Sequence, residues 1–164
     1  MSRELSQKIY ENGRSHGLAA ELIYKGAIAH AEENGIDDAE GFAFNGIYSL
    51  ALLNSIGLCF ELFLKSACVH HGNVDEKYLQ NEIRHDLIKA LSAANELGFV
   101  STADHLEEII TLLNEAYKFH TFRYDRPDKK YFASMVQTFA AIAQLDEELT
   151  ALLFPATQAN APTD

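Results

Sequence analysis

Residues 57–72 read GLCFELFLKSACVHHG, which sets Glu61 and Lys65 one helical turn apart in an otherwise apolar run. At about 100° per residue the two lie within about 40° of each other, on one side of a helix. On a solvated surface such a pair contributes roughly 0.3–0.5 kcal/mol. On a helix this apolar each ion loses much of its water, at a cost of several kcal/mol, so the pair needs further polar partners. The candidates are His85 and Asp86, in NEIRHDLIKAL, and Arg123 with Tyr124, in HTFRYDRPD. Asp86 suits the first turn of a helix, where a carboxylate complements the macrodipole. His85 has two readings: a residue that fixes a turn by hydrogen bonding to the bundle, or a pocket residue.

A second concentration of chemistry is KFHTFRYDRPDKKYF, residues 118–132. It holds Lys118, Arg123, Arg126, Lys129 and Lys130, five of the 13 cations, interleaved with Phe119, Phe122, Tyr124, Tyr131 and Phe132. Aromatics that stack and arginines that grip phosphate would make this a binding lip. The plainer reading is a helix C-terminus with dipole-complementing cations, a turn at Pro127 and a new helix near Asp128. Glu82-x-x-His85 has the spacing of a di-iron ligand pair, but such a site needs a second copy of the motif, and none is found. His70 and His71 precede Gly72 and read as a solvated helix end; His30 with Glu33 reads as a surface pair. No glycine-rich phosphate loop, nucleophile elbow or zinc helix motif is present, and no metal or cofactor is implied. Cys59 and Cys68, nine residues apart, fall on opposite faces of a helix. Two thiols exclude a disulfide framework and a cysteine zinc site, leaving small core residues.

The elements that must carry these groups are helical. Sustained period-two alternation is absent. Gly35, Gly72 and Gly98 stand just past apolar-periodic segments, as helix stops. Asp37 with Glu40, and Ser101 with Asp104, have capping-box spacing. These signals predict a first segment over 2–34, broken or bent near Gly13 and Gly17, and a long second helix over 38–71. A third begins at Asp75 or His85 and ends at Leu97, a fourth covers 102–122, and a fifth covers 129–153. Short connections imply an all-α, up-and-down bundle of four to five helices in one domain, residues 1–154, with a disordered tail at 155–164. The 164 residues carry a net charge of −11, which repels a polyanion unless the cations cluster. From Gly41 to Phe60 there is no charged residue, yet Asn45, Ser49, Asn54 and Ser55 interrupt the run and Glu61 follows it. A buried central helix is expected rather than a membrane span. The opening MSRELSQKIYENG has no apolar signal-peptide core, so the cytoplasm is the expected compartment.

Taken in order, FELFLKSACVHHG, RHDLIKALSAANELG and FRYDRPD resemble the HEPN superfamily of prokaryotic helical domains, over residues 57–128. The matching positions are Glu61, Leu62, Leu64 and Lys65; His85, Asp86 and Leu87; and Arg123 and Tyr124. The resemblance implies a four- or five-helix bundle, often a homodimer. Members act as ribonuclease toxins, as partners of nucleotidyltransferases, or as nucleotide-binding accessory domains. Ribonuclease members carry Arg-x4–6-His on a late helix. Here none of Arg3, Arg14, Arg84, Arg123 and Arg126 is followed by histidine at that spacing. The expectation is therefore a non-catalytic module that binds a nucleotide, nucleic acid or protein partner through Glu61, Lys65, His85, Asp86, Arg123, Tyr124 and Arg126. The alternative is a metal-independent ribonuclease of toxin or antiviral type, using His85 or His120 with Arg123.

Overall fold

The computed structural model describes residues 2–120 and 134–155. The chain forms α1 (Ser2–Glu33), α2 (Ala39–Asn45), α3 (Ser49–Gly72), α4 (Glu76–Tyr78), a π-helical turn (Leu79–Ile83), α5 (Leu87–Glu96), α6 (Leu106–Lys118) and α7 (Met135–Leu153). The protein is all-α, with no strand among the described residues. The expected disordered tail, apart from Pro155, lies outside them.

α3 is apolar on every side, which requires neighbours on every side. Leu52, Leu53, Ile56, Phe60, Phe63 and Leu64 are all fully buried, and α1, α2, α5, α6 and α7 pack around the helix. Among the described residues α3 alone is long and apolar enough to cross a membrane, and most of that apolar stretch is buried inside the domain. The Cys59 and Cys68 thiols are buried and free; burial pushes Cys68 up to about 12.

α1 is one continuous helix, with no break at Gly13 or Gly17. Its buried positions, Ser6, Tyr10, Gly13, Gly17, Ala20, Ala27 and Ala31, fall at spacings of three, four or seven. That is the 3.5-residue seam of helices packed nearly along each other. Small residues let the backbones approach: a Cβ on Gly13 would stand 2.8 Å from Phe63 Cδ1 and 3.1 Å from Leu62 Cβ. The seam is closed by reciprocal bonds, Ser6 Oγ donating to Ser66 O at 3.0 Å and Ser66 Oγ to Ser6 O at 2.8 Å. The glycines at which a break was expected leave α1 continuous and set its distance from α3.

The expected single helix over 38–71 is two helices. Gly46 leaves α2 in an extended conformation, φ −82°, ψ −168°, and Ser49 Oγ donates back to Gly46 O at 2.8 Å as α3 starts. α2 is capped by Asp38, which accepts from Gly41 N at 2.8 Å, one residue beyond the expected Asp37. At this corner the His30 ring stacks on Phe42 with centroids 5.6 Å apart and meets the Tyr48 hydroxyl at 3.4 Å. His30 is thus part of an aromatic cluster, not of the expected surface pair with Glu33.

Up-and-down connectivity describes α1 against α3, α1 against α7, and α5 against α6, but not α3 against α5. Glu61 meets His85, Cys68 meets the Ala90 carbonyl, and Gly72 meets Leu97. Both helices therefore advance in the same direction. The chain stops α3 at Asn73, in the left-handed conformation (φ 50°) expected of Gly72. It then returns through α4, capped by Asp75, and the π turn. α6 begins at Leu106, later than the expected 102, and the linker before it is tied to α7. Glu148 accepts from Thr102 N at 2.8 Å and Thr102 Oγ1 at 2.6 Å. α7 begins at Met135 behind the Ser134 cap; the earlier start expected at 129 lies outside the described residues.

Two glycines of α1 should respond to alanine with opposite signs. A Cβ on Gly26 would meet nothing within 4 Å, so Gly26→Ala should stabilise by about 0.5–1 kcal/mol through helix propensity. Gly13→Ala should lose more to overpacking, about 1–3 kcal/mol, than it gains from propensity. Melting temperatures that move the same way in both variants would contradict the close α1–α3 seam.

Candidate functional site

Glu61 is only 3% exposed and Lys65 9%, so neither is solvated by bulk water. Their side chains meet through Lys65 Nζ and Glu61 Oε1 at 2.7 Å. The second carboxylate oxygen takes two more donors: the Tyr117 hydroxyl at 2.5 Å and His85 Nδ1 at 3.0 Å. An ionised carboxylate only accepts, so Nδ1 is the protonated nitrogen of His85 and Nε2 is its remaining ring nitrogen. Burial pushes Glu61 up, but the Lys65 ammonium and the hydrogen bonds from Lys65, Tyr117 and His85 outweigh it and hold the carboxyl below its ordinary range.

Each partner is positioned by a separate local device. A Cβ on Gly57 would overlap the Tyr117 ring, so this glycine lets the ring lie flat on α3 one turn before Glu61. Lys65 Nζ also donates to Arg84 O at 2.5 Å. Arg84 adopts φ 56°, ψ −122°, a conformation that costs a non-glycine residue on the order of 1–3 kcal/mol. It is held there from both sides, because Arg84 N donates to Leu79 O at 2.9 Å across the π turn. The strained residue directly precedes His85, and the bend delivers the imidazole to Glu61.

His85 is the open edge of the network, with 47% of its side chain exposed. Its ring meets that of His120 edge-on, centroids 4.8 Å apart. Asp86 stands beside it but serves a different set of partners. It caps α5, accepting from Lys89 N at 3.1 Å, and pairs with Lys118 Nζ at 3.0 Å. Burial pushes Asp86 up; hydrogen bonds from Lys118, Lys89 N and Asn114 prevail and leave it below the ordinary range. Asn114 also receives Leu87 N at 2.7 Å, which locks the start of α5 to α6.

Of the residues singled out in the sequence, Glu61, Lys65 and His85 come together, with Asp86 adjacent. Arg123, Tyr124 and Arg126 lie outside the described residues. Tyr117, Lys118, Asn114 and the Arg84 carbonyl are partners that sequence reasoning missed. The sequence signal for Tyr117 was Gly57, an isolated glycine in an apolar helix that needs a close neighbour to explain it. Among the described residues no group of three or more acidic, histidine or cysteine side chains could hold a metal. His71 is exposed at its helix end, in contact with His70 and Phe99.

No protein-family model, curated protein or solved structure shows a significant match to the chain. What the site can do rests on its own chemistry: a buried carboxylate orients one imidazole, and a second imidazole touches the first at the surface.

Glu61→Gln or Lys65→Met should each cost about 3–5 kcal/mol by leaving one buried ion alone, whereas the double variant should cost less than either. In the wild type, the contribution of Glu61 and Asp86 to unfolding free energy should be complete above the ordinary carboxylate range, about pH 4–5. It should then fall as pH drops through the lower folded-state values of Glu61 and Asp86, because the unfolded chain binds more protons there. Urea titrations across acid pH should show a shallower fall in the double variant; an unchanged slope would remove Glu61 from the network's pH response.

Proposed function

We propose that this chain is a HEPN-like helical module that binds the phosphate of a nucleotide or RNA at the surface where His85 and His120 meet, beside the start of α5 and the end of α6, and that it works as a homodimer. The observation that carries the reading is His85 itself, oriented from behind by buried Glu61 at 3.0 Å and exposed on its other side. A structural histidine with the same bond could be fully enclosed; this one is not. Arg84 and Lys89 lie exposed close in sequence to His85, giving cations to a molecule that is otherwise strongly acidic, while Lys118 is paired with Asp86. Phosphate binding there would depend on these local charges, against an unfavourable net field. The expectation that a nucleotidyltransferase is the protein partner belongs to the same reading and rests on the resemblance alone.

A second reading, a metal-independent ribonuclease, is favoured by the 4.8 Å contact of the two imidazoles. General acid–base cleavage requires one group to take the 2′-hydroxyl proton and another to protonate the leaving oxygen. Two histidines side by side are the residue types for those roles, with Glu61 orienting His85. The missing Arg-x4–6-His spacing weighs against it.

Fluorescence anisotropy with labelled single-stranded RNA, with ATP and GTP as competitors, separates the readings. Saturable binding of intact RNA, falling steeply with salt and weakened about tenfold by His85→Ala, is the expected result; tenfold corresponds to about 1.4 kcal/mol. Cleavage that survives EDTA, follows a bell-shaped pH profile and is lost in His85→Ala would replace binding with catalysis. Absence of RNA and nucleotide binding at low salt would overturn both, and sedimentation in the same buffers tests the homodimer.

A further inference from the structure

The outer side of the α5–α6 pair carries a surface that the His85 site does not use. α5 and α6 run antiparallel, tied at one end by Asn114 to Leu87 N and Lys118 to Asp86. Their buried faces hold Leu87, Ala90 and Ala94, and Leu106, Ile109, Ile110 and Leu113. Those contacts consume the helices' inward stripes, yet apolar residues continue onto the outward side. A groove of about 700 Å³ opens there, lined in part by Leu91, Val100, Ala103 and Leu112. Val100 is 72% exposed, Leu112 40%, and Ile88, one turn before Leu91 on α5, 43%.

The groove's rim is acidic. Glu107 and Glu108 line it, and Glu96, Asp104 and Glu115 are exposed on the same two helices and their linker, against one exposed lysine of α5, Lys89. The basic neighbour at the rim is His105, 3.3 Å from Glu108. Lys118, at the far end, is engaged by Asp86. An exposed apolar floor with carboxylates along its α6 side is complementary to a helix with one apolar face and a cationic flank. The carboxylates also discriminate between occupants. A second copy docked face to face would bring the same carboxylates against each other, since a two-fold contact pairs a patch with itself. A nucleic acid would meet charge of its own sign.

We infer that the α5–α6 groove docks a basic amphipathic helix of a protein partner, with Leu91, Val100 and Leu112 as the apolar seat and Glu107 and Glu108 as the charged rim. The site is separate from the His85 end, so either can fail without the other.

The test uses a fluorescein-labelled designed peptide of about 14 residues, leucine on one helical face and lysine on the others, of a length that is marginal as an isolated helix. A control peptide of identical composition has its leucines spread round the helix. The full chain should bind the amphipathic peptide at least tenfold more tightly than the control, with helix induced on binding. Val100→Ser, at a position 72% exposed, should weaken that binding about tenfold while melting temperature and helix content stay unchanged. Leu112→Asn should weaken it as much, at some cost in melting temperature because Leu112 also lines the interior beside Phe44 and Met135, with helix content retained. Glu107→Gln with Glu108→Gln should weaken it and flatten its salt dependence. Equal affinity for the two peptides, or binding indifferent to Leu112→Asn, would overturn the proposal. So would sedimentation showing that the face is already occupied by a second copy, in a dimer that Leu112→Asn dissociates.

Discussion

A carboxylate with 3% exposure can remain ionised only where fixed donors replace the water it has lost, and the arrangement around Glu61 follows from that constraint. Its three donors come from different parts of the chain. Lys65 is on its own helix, Tyr117 ends α6, His85 precedes α5, and the Arg84 carbonyl shares the Lys65 ammonium. Satisfying one buried ion pair thus fixes the relative placement of three helices. The geometry is directional where hydrophobic packing is not, so the pair specifies which residues of α5 and α6 face α3 at this level.

The same requirement accounts for the irregular backbone between α3 and α5. A chain leaving α3 at Asn73 is more than two helical turns beyond Glu61, yet His85 must reach back to it. The 14 residues from Asn73 to Asp86 make that return, and α4 with its π turn shortens the path into two compact turns. Arg84 absorbs the final change of direction in a conformation few non-glycine residues adopt. Its backbone is bonded on both sides, by Lys65 and across the π turn, so the strain is offset where it arises. This detour is also why α3 and α5 run parallel, against the antiparallel rule that short connections impose.

On the opposite side of α3, shape rather than charge sets the contact. Gly13, Gly17, Ala20, Ala27 and Ala31 give α1 a flank with almost no side-chain volume, so α3's larger residues fill the space between the two backbones. Polar groups on this side gather near the start of α1: the reciprocal Ser6–Ser66 bonds to α3, and Tyr10, whose hydroxyl meets Asp146 at 2.6 Å and Thr150 at 2.7 Å on α7. α3 is therefore held by close backbone packing on one flank and by a bonded ion pair on the other.

The sequence by itself determined the helical class, the burial of α3 and the need of Glu61 and Lys65 for partners, because periodicity and the cost of an unpaired ion are local properties. It also marked His85 as one partner, through its position before a helix start. Helix boundaries were less legible: the interruption at Gly46–Tyr48 sits in an uncharged stretch whose periodicity continues across it, and the seam of α1 is made of residues too small to register as apolar. Tyr117, Asn114 and Lys118 became partners only through the tertiary structure. Nothing in a residue 56 positions from Glu61 indicates contact until the chain's path from Asn73 to Asp86 is known. That path depends on a strained residue, Arg84, which no local preference would choose; it is held by the bond to Leu79 O across the π turn and by Lys65 from another helix.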